Sequence, residues 1–280
     1  MECRLVSARK FSPAAQALHD AVEARLGPVS NATIPLYCDH DGRPVPNGSG
    51  VLFRAGDFRF VLTAAHVADA ASLCPLITGT AQTLLRLEGS WTAIKPPRGQ
   101  GRLADQLDIA VLTLKRGSSA AIPDSSFIEV SELDTTAREL DDEIFLVAGY
   151  PGTKRRAPRN SPALEVEFYP ALAVSRPRRD YEALHLNPDH HMLLGFSKKR
   201  MWRRGVRLIA PDLHEMSGCG VWAIGPEDSQ YFQRLRLTGL LIGQRRARAV
   251  PLLQATRMSV VIDGVGAALK ALRASLAAEG

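Results

Sequence analysis

The chain predicts a mostly β protein with a helix at each end, and three observations carry that reading. Glycine (22) and proline (18) punctuate the 280 residues densely, which favours many short elements over long helices. Short alternating or β-branched apolar runs fall into two groups, parted by a polar, acidic stretch at residues 124–142. Stripes with helical spacing stand out only near the two ends. An apolar content of 45% supplies enough side chains for one large core or two smaller ones.

The first element is a helix over SPAAQALHDAVEARL, residues 12–26. Ser12 caps it, Pro13 sits where its missing N–H costs nothing, and Ala17, Leu18, Val22 and Leu26 share one stripe, with Gly27-Pro28 as the stop. From about residue 31 the period shortens to that of strands: ATIPLYCD, GSGVLFRA, FRFVLTAA, QTLLRLEGSWTAI and DIAVLTL, separated by turns such as DGRP, RAGD and KRGS. Residues 124–142 lack a strand pattern and read as an inter-domain connector. A second strand group follows from about residue 143: EIFLVAGY, ALEVEFYPALAV, YEALHLN, HMLLGFS, GVRLIA, GCGVWAI, YFQRLRLTGLLIG and SVVIDG. VGAALKALRASLAAE, residues 265–279, closes the chain as a helix with Leu269, Leu272 and Leu276 on its apolar face. The expected division is a helical extension (1–30), a first β unit (31–130), a second (131–264) and a closing helix (265–280).

Composition narrows the function classes. The opening MECRLVSARKF lacks the apolar core of a signal peptide, and no apolar run approaches a membrane span. A cytoplasmic location is the expectation. Cys3, Cys38, Cys74 and Cys219 show neither CxxC spacing nor a regular framework, so free thiols are expected rather than a zinc knuckle or disulfide scaffold. His185, His190 and His191 cluster in sequence, but Asn187-Pro188-Asp189 between them reads as a turn, and no metal site is expected there. The net charge of +6 is uneven: 13 Lys/Arg against 5 acids lie between Lys154 and Arg207. Such a stretch is either a set of solvated loops or a surface for an acidic partner. Aromatics interleave little with these charges, which makes nucleic acid the weaker reading.

Three residues carry chemistry. Ser217 sits in Glu215-Met216-Ser217-Gly218-Cys219-Gly220, where the glycines permit a tight turn with converging backbone N–H groups. His66 ends Thr63-Ala64-Ala65-His66, where a strand gives way to a helical turn. Asp108 opens the apolar run Asp108-Ile109-Ala110-Val111-Leu112. Taken singly, each has an ordinary reading as a surface turn, a structural histidine or a strand-end aspartate. Together they supply a nucleophile, a base to take its proton, and a carboxylate to hold the base's tautomer. Their chain order is His, Asp, Ser, with 42 and then 109 residues between them.

These motifs, with Gly48-Ser49-Gly50-Val51-Leu52-Phe53 ahead of the histidine, resemble the trypsin-like (chymotrypsin-fold) serine peptidases over about residues 45–265. The likeness is to the bacterial-type cytoplasmic branch without disulfides. The resemblance implies a double antiparallel β-barrel, with His66 and Asp108 on the first barrel and Ser217 on the second. It implies an endopeptidase acting on a protein or peptide through an acyl-enzyme, with no cofactor. It further implies an oxyanion hole from the backbone N–H groups of Glu215 and Ser217. A specificity pocket would be lined near Pro211 and Asp212, with Ile242-Gly243-Gln244 as the edge on which substrate pairs. Two departures qualify it. Glu215 stands where the family has glycine, and its carboxylate is expected to point away from the oxyanion. Pro211, not aspartate, stands six residues before Ser217, which removes the expectation of cleavage after basic residues. The alternatives from other classes are a catalytically weak or silent fold that binds an acidic protein or nucleic acid, and an esterase. Cys219, beside Ser217, reads as a packing residue.

Overall fold

The computed structural model describes residues 20–79, 83–136, 143–152, 155–156, 165–196, 201–203, 206–208, 213, 215–224, 235–247 and 250–279. Residues 20–23 are helical, and after a turn the helix α1 follows (Leu26–Ala32). Gly27-Pro28, expected to stop a helix, instead begins this second one. Within the first turn of a helix a missing proline N–H has no intrahelical partner to lose. The remainder of the expected 12–26 helix lies outside the described residues.

The first sheet contains β1 (Thr33–His40), β2 (Arg43–Ala55) and β3 (Phe58–Ala64), followed by the short helix α2 (Ala65–Asp69) and a 3-10 turn (Ala70–Ser72). Next come β4 (Leu76–Gly79), β5 (Leu84–Arg86), β6 (Gly89–Ala93), β7 (Ile109–Leu114), α3 (Arg116–Ala120) and β8 (Ile128–Glu129). The strand order is β5-β4-β1-β2-β3-β7-β6, an antiparallel half-barrel, with β8 added parallel to β2. The acidic connector is therefore tied down: Ile128 and Glu129 pair with Phe53 and Arg54, and the Asp134 N–H donates to the Leu237 carbonyl at 2.8 Å.

The second unit contains β9 (Ile144–Gly149), β10 (Arg155–Arg156), β11 (Glu165–Val166), β12 (Tyr169–Ser175), α4 (Arg178–Ala183), β13 (His191–Gly195), β14 (Met201–Arg203), β15 (Val206–Leu208), β16 (Gly220–Ala223), β17 (Arg236–Ala247) and β18 (Val250–Arg257). Six of these close a barrel in the order β12-β13-β18-β17-β16-β9. The architecture is the mostly β double barrel with terminal helices that the sequence predicts. YEALHLN is a correction: instead of a strand, it ends α4 and turns back. Pro177 precedes the helix, and the buried Tyr181 accepts a hydrogen bond from the Leu193 N–H through its hydroxyl at 2.8 Å.

The closing helix α5 (Met258–Glu279) begins seven residues earlier than expected and absorbs SVVIDG, a second correction. A three-residue apolar run fits a strand or a buried helix turn equally, and the core decides. Met258, Val261, Val265 and Ala268 are buried at helical spacing in one apolar cluster with Ile109, Val111 and Leu112 of β7 and Leu237, Leu240 and Ile242 of β17. Met258, Val261 and Val265 each stabilise by about 1.5–3 kcal/mol on burial, so α5 fastens the two sheets together. A second core, including Phe145, Met192, Met216 and Cys219, fills the closed barrel.

A disulfide joins Cys38 to Cys74, whose Cα atoms are 5.6 Å apart across 36 residues. It overturns the expectation of free thiols and of a branch without disulfides. The cause is tertiary. β4 pairs antiparallel with β1, Cys38 lying opposite Leu76, and the Asp39 N–H donates to the Pro75 carbonyl. Cys74, just ahead of β4, is thereby delivered to Cys38. Closing a loop of that length restricts the unfolded chain by about 4 kcal/mol. No described helix is long and apolar enough to cross a membrane.

Candidate active site

β3 delivers His66. The strand ends at Ala64, and the Ala65 N–H that starts α2 donates to the Asp108 carbonyl at 2.9 Å. The His66 backbone N–H then donates to Asp108 Oδ1 at 2.9 Å, and the imidazole Nδ1 meets Oδ2 at 2.5 Å. Both carboxylate oxygens are engaged by one residue. A carboxylate oxygen accepts, so Nδ1 is held as the donor, and in the neutral ring the lone pair then falls to Nε2. The Asp108 side chain is 10% exposed and that of His66 41%, so the pair has a buried acid and an accessible base.

Asp108 pays a conformational cost for this placement. Its φ of 48° lies in the left-handed region, which aspartate tolerates better than most residues. Asp105 holds the turn: its Oδ1 accepts the Leu107 and Asp108 N–H groups, each at 3.1 Å. Arg102 then ties acid to base. Its Nε and Nη2 grip Asp69, the last residue of α2, at 2.8 and 2.9 Å, while Nη1 donates to Asp105 Oδ2 at 2.7 Å and to the Ile94 carbonyl at 2.6 Å. Hydrogen bonding from Arg102 holds the Asp69 carboxyl below its ordinary pKa, and Asp69 in turn raises that of the guanidinium. The Asp105 side chain is 4% exposed. Arg102→Met, which leaves that buried carboxylate without its cation, is expected to destabilise the fold by about 3 kcal/mol, read from urea denaturation. From the second barrel, Thr256 Oγ1 donates to the Leu107 carbonyl at 2.7 Å.

Ser217 lies on a turn between Leu213 and β16. The Met216 N–H donates to the Leu213 carbonyl, the Cys219 N–H to the Met216 carbonyl, and the Gly218 N–H to the Leu241 carbonyl. Met216 and Cys219 bury their side chains on either side of a half-buried Ser217. Burial pushes the Cys219 thiol up, so it stays protonated and acts as packing. The first sheet touches the turn directly, since the Ser49 N–H donates to the Ser217 carbonyl at 2.8 Å. A β-carbon on Gly48 would stand 3.0 Å from that same carbonyl oxygen, which explains the Gly48-Ser49-Gly50 run as a place of close backbone approach. Among the described residues no acceptor takes the Ser217 N–H.

A cavity of about 490 Å³ joins these parts. His66 and Asn47 form one wall, Leu213, Glu215 and Ser217 a second, and Leu241, Gly243 and Gln244 of β17 a third. His66 and Ser217 therefore face a common space, although no hydrogen bond links them among the described residues. Catalytic hydrogen bonds are commonly long until substrate tightens them. Gly243 and Gln244 line the cavity. Ile242 is buried and belongs to the core cluster, and Pro211 and Asp212 lie outside the described residues. Asn47, whose side-chain amide donates to the Val67 carbonyl at 2.8 Å, was missed by sequence reasoning. Its position directly before the glycine-rich run was the available signal.

Glu215 has φ 64°, again left-handed without being glycine. Its carboxylate lies over Gly152, where an added β-carbon would come within 1.8 Å of Oε2. The missing side chain of Gly152 makes the space that Glu215 occupies. Of the basic residues between Lys154 and Arg207, Lys154, Arg159, Lys198, Lys199, Arg200 and Arg204 lie outside the described residues, and Arg176 reaches Asp180 at 2.8 Å. His191 is buried, with Nδ1 lacking a hydrogen-bond partner among the described residues, and burial, then His190 and two arginines, lowers its pKa to about 4. Among the described residues, the group of His, Cys, Asp and Glu able to surround a metal is Cys38, His40 and Cys74, and none of the three lines the cavity. No protein-family model matches the chain, nor does any curated protein.

Proposed function

We propose that the protein is a serine-type hydrolase, an endopeptidase acting on an extended protein segment. One observation carries the reading: an imidazole locked by Asp108 through Nδ1 opens onto the same cavity as a serine held on a glycine turn. In this reading Ser217 attacks the acyl carbon, His66 Nε2 takes the proton and returns it to the leaving group, and Asp108 keeps the tautomer and steadies the imidazolium. The N–H groups of Ser217 and Glu215 receive the oxyanion. Gly243 and Gln244, on the wall that β17 contributes, pair with the substrate backbone as an added strand. The working division is residues 31–130, which supply acid and base, against 131–264, which supply the nucleophile. Water then clears the acyl-enzyme.

A second reading, a silent fold that only binds, draws on Glu215. A non-glycine residue in the left-handed region beside the nucleophile is where strain could cost the oxyanion a donor, at about 10²–10³ in rate. A fluorophosphonate probe separates the two. Covalent labelling of Ser217, located by mass spectrometry and lost in both Ser217→Ala and His66→Ala, is the expected result. Folded wild-type protein that takes up no probe would favour the binding module. Peptide and ester panels would then divide peptidase from esterase.

A further inference from the structure

We propose that Cys38, His40 and Cys74 form a zinc(II) site that is filled in the reduced protein and emptied when the Cys38–Cys74 disulfide forms. The ligand set follows from strand geometry. Side chains two apart on a strand share a face, so Cys38 and His40 project from the same side of β1. The β1–β4 pairing sets Cys74 over that side. The candidate ligand atoms of the three residues all lie within 4.8 Å of one another. A tetrahedral zinc ion with ligands at about 2.0–2.3 Å needs ligand atoms about 3.3–3.8 Å apart. The cluster therefore has to contract by about 1.5 Å at most around a metal, while the two sulfurs move apart from bonding distance.

The surroundings suit the metal. Both cysteines are buried, packed against Leu76, with Ala70, Ala71 and Trp91 around them. His40 is exposed and leaves an approach from solvent. Asp39, between the two β1 ligands, is directed elsewhere, accepting the Gly42 N–H at 2.8 Å. Two thiolates and an imidazole form a donor set that zinc takes readily, with water completing the tetrahedron.

The chemistry balances with a dithiol as reductant. Two successive exchanges break the Cys38–Cys74 S–S bond, each protein sulfur ends as a thiol, and the reductant's two sulfurs join as its own disulfide. Zinc then displaces the two thiol protons to solvent and takes the neutral imidazole nitrogen. Oxidation by a small disulfide runs the sequence backward and releases the metal. In both states β1 stays cross-linked to the end of the segment that runs from His66 to Cys74. Only the reduced, metal-free protein lacks that brace. The site is independent of the hydrolase reading, because its ligands lie outside the cavity and its test measures metal.

The full chain would be reduced with a dithiol, desalted under argon, given zinc, passed over a sizing column and assayed for metal and free thiol. About one zinc per chain in reduced protein and none in oxidised protein is expected. His40→Ala, at an exposed position, should weaken retention at least about tenfold against a chromogenic chelator. Reduction with chelator should lower Tm by several degrees, and zinc should restore it. Fully reduced, folded protein that retains no zinc would overturn the proposal. So would equal retention by oxidised protein or by Cys38→Ser. If the cysteine variants fail to fold, cobalt(II) added to reduced wild type decides: thiolate-to-metal charge transfer supports the site, and its absence refutes it.

Discussion

Asp108→Asn should leave the fold intact and slow the reaction of Ser217 with a fluorophosphonate by about 10⁴-fold, the scale seen when a triad carboxylate becomes an amide. The backbone dictates the direction. Asp108 Oδ1 accepts the His66 main-chain N–H, so the asparagine must keep its carbonyl oxygen there and turn its NH₂ toward Nδ1. The imidazole can then meet that donor only with an unprotonated Nδ1, which puts its proton on Nε2. In that tautomer the ring offers the serine no lone pair. Two readouts test the chain of reasoning: the second-order labelling rate, with circular dichroism as the check on folding, and the nitrogen NMR signature of the His66 tautomer. A labelling rate within tenfold of wild type, despite an Nε2–H tautomer, would mean that Ser217 reacts without the imidazole, and the proposed mechanism would fall.

The three residues of the candidate site could be picked out from the sequence for a physical reason. Each of the three chemical groups sits on a local device of three to six residues: a strand end, a glycine turn, an aspartate before an apolar strand. Such devices are written in adjacent positions. The supports are not. Arg102 reaches Asp69 across 33 residues, and Thr256 reaches the loop before Asp108 across 149, through contacts that exist only once the sheets are formed. The Cys38–Cys74 pair is of the same kind, since the register of β4 on β1 brings it together. Errors in the elements have a different origin. SVVIDG and YEALHLN are short apolar runs whose local pattern fits either state, and packing of Met258 and Val261 in one case and Tyr181 in the other selects helix. The strands of both sheets were read well because each is a short run bounded by turn residues, buried throughout in β7 and alternating in β12. Cys38 and His40 stand at i and i+2 of β1, and attention to that spacing would have put two of the three proposed zinc ligands on one face.

The glycine after Ser217 is where the turn meets the first sheet most tightly, and Gly218→Ala should cost about 4 kcal/mol or more, a loss in the exceptional range for one methyl group. Gly218 has φ 88°, and a β-carbon there would lie 2.1 Å from the Ser49 carbonyl oxygen and 2.2 Å from Thr63 Oγ1. Neither neighbour can step aside freely, because Thr63 Oγ1 already donates to that carbonyl at 2.7 Å. Nor can the turn back away, with the Gly218 N–H committed to the Leu241 carbonyl at 2.7 Å and the Ser217 carbonyl to Ser49. The left-handed backbone adds roughly 1–2 kcal/mol for any L side chain. Gly243→Ala is the matched control. That glycine lies on the same cavity, yet nothing stands within 4 Å of its added β-carbon, so its urea midpoint should stay near wild type. A Gly218→Ala protein as stable as the Gly243→Ala one would mean that the turn yields to a side chain. Ser217 would then not be held against the first sheet as the proposed mechanism requires, because the contact that excludes a methyl group is the same contact that fixes the serine's carbonyl.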